Sequence, residues 1–413
     1  MLGHLQRARR LDRAHRGVQR RIALSVSFAR AAIAAAGCGV FALGLAGSAQ
    51  AADTVPNGYL NAVSCSSPTA CTAVGTGYGT TYATRQPLAE RWNGVRWTVQ
   101  TIPSHPTGST TAVLSGVACP SASVCFAVGS LTVGTGPTYV LAERWNGKSW
   151  TAQPIPNPAG PTNPVLSAVS CTSVTRCTAV GSYTSSAGQT VPLAERWNGT
   201  KWEIQSMPVP SGGYGSALGV SCSSVSACTA VGNGIATAPL AERWNGLKWV
   251  VQPTPVLGNP GPYNMAGGGF AGVSCPSARA CFALGTVDYG GGVSVPLTER
   301  WNDGTSWTVQ PNPGPGWNTM TSVSCTSTIA CIIVGNISNS AQSATLAERW
   351  NGTSWTIQTT PNPSGPYGPP QLSGVSCTSS NVCTAVGGSS AFGNGLTLAE
   401  RWNGTTWVIQ PTP

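Results

Sequence analysis

The sequence predicts an all-β protein built from seven tandem repeats, and three observations support this prediction. Cysteine pairs with five intervening residues recur at a nearly constant interval along the chain. Each pair is followed by a Glu-Arg-Trp segment and then by a second tryptophan. Only 8% of the 413 residues are charged, while Gly and Pro number 51 and 32. This composition is typical of a turn-rich β protein and argues against solvated helical bundles.

The cysteine pairs define the period, and they account for 14 of the 15 cysteines. The pairs are Cys65 and Cys71, Cys119 and Cys125, Cys171 and Cys177, Cys222 and Cys228, Cys275 and Cys281, Cys325 and Cys331, and Cys377 and Cys383. The expected boundaries are an export signal at 1–51, a short segment at 52–57 and repeats at about 58–103, 104–156, 157–210, 211–255, 256–313, 314–363 and 364–413.

The third repeat shows how each unit divides into strands. Its four β-branched and apolar runs are Leu166–Cys171, Cys177–Gly181, Pro192–Trp197 and Trp202–Gln205. Asn198-Gly199 lies between the last two runs and supplies the positive φ angles of a tight hairpin. Long sequence periods with strand-like patterning are typical of propellers, which repeat four-stranded sheets around an axis. The sequence therefore predicts a seven-bladed β-propeller with four antiparallel strands per blade.

Each cysteine pair is predicted to form a disulfide across the first hairpin of its blade. Zinc sites usually combine closely spaced cysteines with a second pair or with histidines. His105 is the only histidine after residue 51. We therefore expect one short-range disulfide per blade, no metal site and no cofactor.

Two segments carry a resemblance to known propeller families. Asn302-Asp303-Gly304-Thr305-Ser306-Trp307 is one residue shorter than an Asp box, and Gly387-Gly388 matches the glycine pair that follows the second strand of a kelch repeat. The chain thus resembles Asp-box (BNR) propellers of the sialidase type and kelch-like propellers. The resemblance implies a propeller fold over the whole repeat region. The sialidase set of a Tyr-Glu nucleophile, an Asp and three arginines has no match here.

The recurring Glu-Arg-Trp segment is predicted to be structural, although glycosidases do use carboxylates in catalysis. It occurs in every repeat, whereas a propeller has a single axial pocket. Strand alternation places Leu193, Glu195 and Trp197 on one face, so we expect each Glu to be half-buried and bonded to Arg or to backbone N–H groups. The segment includes Glu90, Arg91 and Trp92 in the first repeat, and the other glutamates are Glu143, Glu195, Glu242, Glu299, Glu348 and Glu400.

The N-terminal segment 1–51 is predicted to be an export signal. It is Arg-rich up to Arg21, continues with an apolar run at 31–47 and ends on Ala49-Gln50-Ala51. Arg20-Arg21 leaves the twin-arginine route open beside the general secretory route. We expect a secreted monomer without a stable membrane span after cleavage, and an uncleaved N-terminal anchor is the alternative.

The net charge of +10 does not indicate a nucleic-acid partner. Residues 1–51 hold eight Arg and one Asp, whereas the remaining chain holds 14 basic and 11 acidic residues. No basic patch with interleaved aromatic residues is left in the repeat region, so we expect no nucleic-acid binding.

One face of the predicted propeller carries the candidate binding residues. The connections from second to third strands and between repeats vary in length and sequence, and rigid scaffolds with variable aromatic loops are typical of recognition sites. Tyrosine is also simply favoured in Gly/Pro-rich loops, which is the alternative explanation. The candidate ligand-binding residues are Trp317, Tyr263, Tyr289, Asp288, Tyr183, Tyr214 and Tyr367.

The expected function is that of a non-catalytic binding or scaffold propeller which recognises glycan or a cell-surface protein. The alternative is a glycoside hydrolase or lyase of the sialidase-like propeller type. Seven of the 11 acidic residues beyond residue 51 are repeat glutamates, and among the others only Asp288 lies in a variable loop. No carboxylate pair is therefore available for acid and base roles, and no catalytic residue is assigned.

Overall fold

The computed structural model describes residues 57–78, 85–103, 109–159, 163–210, 212–234, 239–255, 265–289, 293–314, 318–338, 343–363, 368–391 and 394–413. These residues belong to one compact unit, Ala52–Pro413. The predicted export signal and the candidates Trp317, Tyr263 and Tyr367 lie outside the described residues.

The described residues form 28 strands and no helix, and each repeat supplies its strands in the same order. The first strands are β1 (Gly58–Ser67), β5 (Ser109–Ser121), β9 (Val165–Ser173), β13 (Ser216–Ser224), β17 (Met265–Ser277), β21 (Asn318–Ser327) and β25 (Pro370–Ser379). The second strands are β2 (Ala70–Tyr78), β6 (Val124–Val133), β10 (Arg176–Thr184), β14 (Ala227–Asn233), β18 (Ala280–Tyr289), β22 (Ala330–Ser338) and β26 (Val382–Ala391). The third strands are β3 (Arg85–Trp92), β7 (Thr138–Trp145), β11 (Thr190–Trp197), β15 (Leu240–Trp244), β19 (Val293–Asn302), β23 (Ser343–Trp350) and β27 (Asn394–Trp402). The fourth strands are β4 (Trp97–Gln100), β8 (Trp150–Ala152), β12 (Trp202–Gln205), β16 (Trp249–Val251), β20 (Ser306–Val309), β24 (Trp355–Gln358) and β28 (Trp407–Gln410).

Consecutive strands of a repeat pair in antiparallel fashion, as the third repeat illustrates. Cys177 of β10 faces Cys171 of β9 on one side and Trp197 of β11 on the other. Trp197 in turn faces Trp202 of β12 across the turn at Asn198-Gly199, where Gly199 has a φ of 105°. The paired tryptophans are buried, and their ring centroids lie 5.9 Å apart. The hairpin thus turns two large aromatic side chains inward, where they contribute much of the apolar surface that the repeat buries.

The seven predicted disulfides are confirmed, one in each repeat. The two cysteines of a pair face each other across the first hairpin, with Cα atoms 3.9 to 4.0 Å apart. This direct pairing explains the constant spacing within each pair, because the residues between the cysteines make the turn. Such a set of disulfides fits an extracellular protein, since cytosolic thiols are kept reduced.

The apolar core lies between the repeats. Seven clusters of buried side chains are present among the described residues; six take their members from two consecutive repeats, and one takes them from the first and the last repeat. Hydrogen bonds connect the same neighbours, because in every repeat but the third the amide of the first cysteine donates to a serine hydroxyl of the adjacent repeat. Cys222 donates to Ser170 at 3.0 Å, and Cys275 donates to Ser221 at 2.9 Å. A small sheet that cannot bury both faces alone is stabilised here by its two neighbours.

The first and last repeats meet in the same way as consecutive repeats do. Cys65 donates its amide to Ser376 at 3.0 Å, and the Arg401 guanidinium lies 5.7 Å from the centroid of the Trp92 ring. Each terminal strand pairs within its own repeat, β1 with β2 and β28 with β27. The first and last repeats are therefore in direct contact, and each keeps its terminal strand in its own sheet.

The arginine of the Glu-Arg-Trp segment contacts the following repeat. Arg196 donates to the Val225 carbonyl at 2.8 Å and lies 4.6 Å from the centroid of the Trp244 ring. Arg243 repeats this arrangement one unit further on, with the Ala278 carbonyl at 2.7 Å and the Trp301 ring at 5.2 Å. These arginines connect the repeats through a charge-assisted hydrogen bond and a cation–π contact.

We expected each repeat glutamate to be half-buried and bonded to Arg or to backbone N–H groups, and the expected degree of burial is wrong. The seven repeat glutamates are fully buried, and the carboxylates of Glu195, Glu242 and Glu299 have no hydrogen-bond partner among the described residues. Successive residues of a strand point to opposite faces, so each Glu faces away from its adjacent Arg. Glu348 faces the preceding repeat, because it accepts a hydrogen bond at 2.8 Å from Asn312, which follows β20.

Burial shifts the titration of these carboxyl groups. It raises the pKa of Glu195, Glu242 and Glu299 to about 8. The same cause raises the pKa of Glu90 to about 7, although the Thr397 hydroxyl of the last repeat partly opposes it. The repeat glutamates therefore behave as buried acids between the sheets, and their proton uptake is part of the energetics of folding.

Candidate functional site

In each repeat the second strand ends beside the beginning of the third strand, and we call the face formed by these strand ends the variable face. A cavity of about 400 Å³ lies on this face between the fourth and fifth repeats. Its lining residues are Tyr214, Leu218, Asn233, Gly234, Gly268, Gly269, Phe270, Ala271, Thr286 and Asp288. Small-molecule sites are commonly concave and of this size. We call it the repeat 4/5 pocket.

The repeat 4/5 pocket has an apolar floor and a polar rim. The apolar part of the lining, which we call the apolar floor, comes from Leu218 and Ala271, and the Phe270 side chain is completely buried. The rim carries a phenol, an amide, a hydroxyl and a carboxylate, from Tyr214, Asn233, Thr286 and Asp288. Apolar surface with a few convergent polar groups is the usual composition of a ligand site.

Unequal strand lengths create the pocket. In the fourth repeat, β14 has seven residues and β15 has five, whereas the neighbouring β17 and β18 have 13 and ten. The longer hairpin of the fifth repeat therefore extends beyond the end of the shorter one. The first part of β17 is Met265-Ala-Gly-Gly-Gly-Phe270, and its glycines have no side chains to fill the step. The short hairpin of the fourth repeat therefore leaves a cavity that a hairpin as long as that of the fifth repeat would fill.

Tyr214 is held by the backbone on both sides of it. Gly213 donates its amide to Pro210 at 3.0 Å in a turn where its φ is 81°. Gly215 donates to the Thr190 carbonyl of the third repeat at 2.9 Å. The ring between these two anchored glycines is 40% exposed and lines the pocket. A tyrosine placed in this way offers a partly exposed apolar face together with a polar tip.

Asn233 and Thr286 are positioned by the strands at the interface. Asn233 is the last residue of β14 and bridges to Gly269 of β17, which links the two repeats at that point. A Cβ atom on Gly269 would overlap the amide oxygen of Asn233, so a larger residue there would displace the Asn233 side chain. Thr286 faces Gly269 from β18. The polar rim is therefore built on paired strands, which favours a fixed geometry.

The structure brings together two of the candidate ligand-binding residues, Tyr214 and Asp288. Tyr183 lies elsewhere, since it packs against the apolar cluster between the second and third repeats. Tyr289 is the last residue of β18, next to Asp288, and its side chain is outside the described part of the structure. Trp317, Tyr263 and Tyr367 lie outside the described residues, so their roles stay predictions.

Sequence reasoning missed Asn233, Thr286 and the apolar floor. A usable signal was present in the spacing between the second cysteine and the repeat glutamate. Glu242 follows Cys228 more closely than the repeat glutamate follows the second cysteine in any other repeat. A shortened hairpin next to a Gly-Gly-Gly strand indicates a step at the interface between those two repeats.

A second cavity, of about 240 Å³, lies where the first strands of all seven repeats meet. One valine from each first strand lines it, and these valines are Val63, Val117, Val169, Val220, Val273, Val323 and Val375. The other lining side chains are small or neutral, and Asn61, Ser115 and Thr321 are among them. No carboxylate or cation lines this channel in the described residues, so it offers no acid–base pair for catalysis.

The described part of the chain contains no cluster of three His, Cys, Asp or Glu side chains arranged to hold a metal ion. Within the same residues, no helix has the length and apolar character required to cross a membrane.

No protein-family model and no curated protein matches the chain. Among solved structures, it is similar to the fucose-specific lectin from Aleuria aurantia, a six-bladed β-propeller, with 12% identity and a TM-score of 0.44 over 74% of this chain and 96% of the lectin. It is also similar to an ulvan lyase of polysaccharide lyase family PL25, with 9% identity and a TM-score of 0.49 over 86% of this chain and 96% of the lyase. A chain of the COPII outer coat vertex matches with 9% identity and a TM-score of 0.48, over 84% of each chain.

Proposed function

We propose that the protein is a secreted seven-bladed β-propeller, with four strands per blade, which binds glycan or a surface protein without catalysis. The architecture is supported by the apolar clusters between consecutive repeats, by the contact of the first repeat with the last, and by the channel lined by all seven first strands. Each of these features is what a closed ring of small sheets requires, because every sheet buries both of its faces.

The repeat 4/5 pocket is the observation that carries the binding function. It lies on the variable face, it is built on paired strands, and it combines an apolar floor with neutral hydrogen-bonding groups and one carboxylate. Sugars present apolar C–H faces and hydroxyl groups together, so this combination suits them. A protein loop with an aromatic or polar tip is the other ligand that the pocket could accommodate.

A glycoside hydrolase or lyase is the competing function, and the distribution of carboxylates argues against it. Retaining and inverting glycosidases place two carboxyl groups about 5 to 10 Å apart across the scissile bond. Among the described residues, the repeat 4/5 pocket contains Asp288 as its single carboxylate, and the repeat glutamates are buried between sheets. A screen of chromogenic glycosides and of polysaccharides for unsaturated products tests this alternative, with Asp288→Asn as the variant. Turnover that disappears in Asp288→Asn would support the enzyme over the binding protein.

The export signal at 1–51, the domain boundaries and the monomeric state belong to the same proposal. Seven disulfides support folding in an oxidising compartment. Fractionation of the producing cells should find the chain in the medium or at the cell surface, with an N-terminus close to Ala52. Retention in the membrane fraction at full length would instead support the uncleaved anchor.

A glycan array combined with a pull-down from cell-wall material tests the binding function. Wild-type protein should bind a defined set of polysaccharides or one surface protein, and Tyr214→Ala should weaken that binding at least fivefold. The matched control is Tyr139→Ala, since Tyr139 is equally exposed but lies in β7, away from the pocket. Loss of binding in both variants, or in neither, would contradict the assignment to the pocket.

A further inference from the structure

The first strand of every repeat carries a β-bulge two residues before its channel valine. At the bulge, one residue of the first strand is skipped in the pairing with the second strand. Glycines such as Gly75 and Gly387 lie opposite the bulges, because a Cβ atom there would overlap a carbonyl oxygen of the first strand. A bulge redirects the side chain of the extra residue. The bulged residues that line the channel are half-buried, and they are Asn61, Ser115, Leu218, Ala271, Thr321 and Ser373.

These bulged residues give the channel a polar side and an apolar side. The apolar side is formed by Leu218 and Ala271 of the fourth and fifth repeats. The polar side comes from repeats 6, 7, 1 and 2, which follow one another because the last repeat contacts the first. We call this side the polar arc, and it consists of Asn61, Ser115, Thr321 and Ser373. The channel thus offers hydrogen-bonding groups on one side and apolar surface on the other.

Two side chains of the polar arc are held in place by the following repeat. The Asn61 side-chain amide donates to the Leu114 carbonyl at 2.8 Å, and the Thr321 hydroxyl donates to the Leu372 carbonyl at 2.7 Å. An amide oxygen and a hydroxyl oxygen can each accept hydrogen bonds while the group donates elsewhere. Asn61 and Thr321 therefore present positioned acceptors to a ligand in the channel.

The apolar side of the channel joins it to the repeat 4/5 pocket. Leu218 and Ala271, which form the apolar floor of that pocket, line both cavities. The volumes are about 400 Å³ for the pocket and about 240 Å³ for the channel, and together they lie within the roughly 300 to 1,000 Å³ of small-molecule sites. A ligand in the pocket needs only to pass the apolar floor to reach the polar arc.

We propose that the repeat 4/5 pocket and the channel are two subsites of one site, which binds a glycan chain of at least two units, an inference that rests on the proposed glycan-binding function. One unit occupies the pocket against Tyr214. The chain crosses the apolar floor with the C–H face of a sugar, and the hydroxyl groups of the next unit pair with the polar arc.

This arrangement makes affinity depend on chain length. A free monosaccharide occupies a single subsite. A second unit that is covalently linked to the first adds its contacts without a second loss of translational and rotational freedom. Longer chains therefore bind more tightly than the single sugar.

The test is calorimetric titration of the mature protein with oligosaccharides of increasing length. The probes are cello-, manno-, xylo- and N-acetylchito-oligosaccharides of one to four units. In the series that binds, the trisaccharide should bind roughly tenfold or more tightly than the monosaccharide. Tyr214→Ala should weaken the binding of every member, because it removes a contact of the pocket subsite.

Variants that fill the channel separate the two subsites. Ser373→Phe and Ser115→Phe place an aromatic ring in the channel from two positions of the polar arc. Each should lower the advantage of the trisaccharide to less than about threefold and leave the affinity for the monosaccharide unchanged. Ser373→Ala is the matched control, because it keeps the channel open, and it should retain most of the advantage. Melting temperatures near that of the wild type identify the variants that are folded.

The outcomes distinguish the two-subsite site from the proposed function. Equal affinity for the monosaccharide and the trisaccharide would overturn the inference and leave glycan binding in place. Full advantage of the trisaccharide in a folded Ser373→Phe or Ser115→Phe protein would do the same. No binding in any of the four series would also overturn the inference, and the glycan array and the pull-down then decide whether the proposed function stands.

Discussion

Replacing Glu195 by Gln removes one buried acid and should change how stability depends on pH. Burial raises the pKa of Glu195 to about 8 in the folded protein, and its ordinary value in an unfolded chain is about 4.5. Because each pKa unit is worth about 1.36 kcal/mol, this difference corresponds to roughly 5 kcal/mol. The effect is large because the carboxylate is fully buried and has no hydrogen-bond partner among the described residues.

The sign follows from which state binds the proton more tightly. Below about pH 4.5, both the folded and the unfolded chain carry a protonated Glu195, and its contribution to stability is fully present. Between about pH 4.5 and 8, the unfolded chain releases the proton while the folded chain retains it, so the free energy of unfolding decreases. Above about pH 8 the loss is complete. Glu195→Gln has no proton to lose and avoids this decrease.

Thermal unfolding at pH 5 and pH 9 measures the difference. The melting temperature of Glu195→Gln should be close to that of the wild type at pH 5 and several degrees higher at pH 9. The control is Glu203→Gln in the same repeat, since Glu203 is exposed and pairs with Lys201 at 2.9 Å. The pKa of Glu203 is lowered by that hydrogen bond and charge, so its replacement should not stabilise the protein at pH 9. An equal difference between Glu195→Gln and wild type at both pH values would refute the reasoning.

Three other predictions concern the contacts within and between repeats. Ala118 occupies the position at which other repeats have a serine that accepts the cysteine amide, so Ala118→Ser should raise the free energy of unfolding in urea by about 0.5 to 1.5 kcal/mol. Ser170→Ala should lower the free energy of unfolding by a similar amount. A loss of stability in Ala118→Ser would contradict this prediction. Arg196→Ala should cost about 1 to 3 kcal/mol through loss of the Val225 carbonyl bond and the Trp244 contact, with partial recovery in Arg196→Lys; an unchanged unfolding midpoint would count against the inter-repeat role. Mass spectrometry of secreted protein should find seven links, each within one cysteine pair, and reduction should lower the melting temperature, since each short loop contributes about 2 to 3 kcal/mol in the chain-entropy description. Links between different repeats would contradict that local pairing.

The sequence by itself determined the repeat, its strands and its disulfides. These features depend on local spacing, because a short segment makes the turn between paired cysteines and Asn-Gly makes the turn between paired tryptophans. The predicted run Trp202–Gln205 coincides with β12, and Pro192–Trp197 lies within Thr190–Trp197. Because the same turns recur in all seven repeats, each cysteine and each strand has its pairing partner nearby in the sequence.

The tertiary structure decided which residue of the neighbouring sheet each side chain contacts. Strand alternation predicts that Glu195 and Arg196 point to opposite faces, but the partner on each face belongs to a different repeat, distant in sequence. Arg196 therefore meets Trp244 and the Val225 carbonyl, and Glu195 is left without arginine. The expected bond to an arginine or to backbone N–H groups is therefore absent for Glu195 among the described residues.

The repeat 4/5 pocket was likewise decided by the meeting of two repeats. Tyr214 and Asp288 could be named from their loops, but their sharing of one cavity depends on a short β14–β15 hairpin next to a long, glycine-rich β17. Neither hairpin alone contains the cavity, because the cavity lies where the long hairpin of the fifth repeat is not covered by the short hairpin of the fourth repeat. A one-dimensional pattern specifies each strand length, and only packing in three dimensions turns unequal lengths into a site.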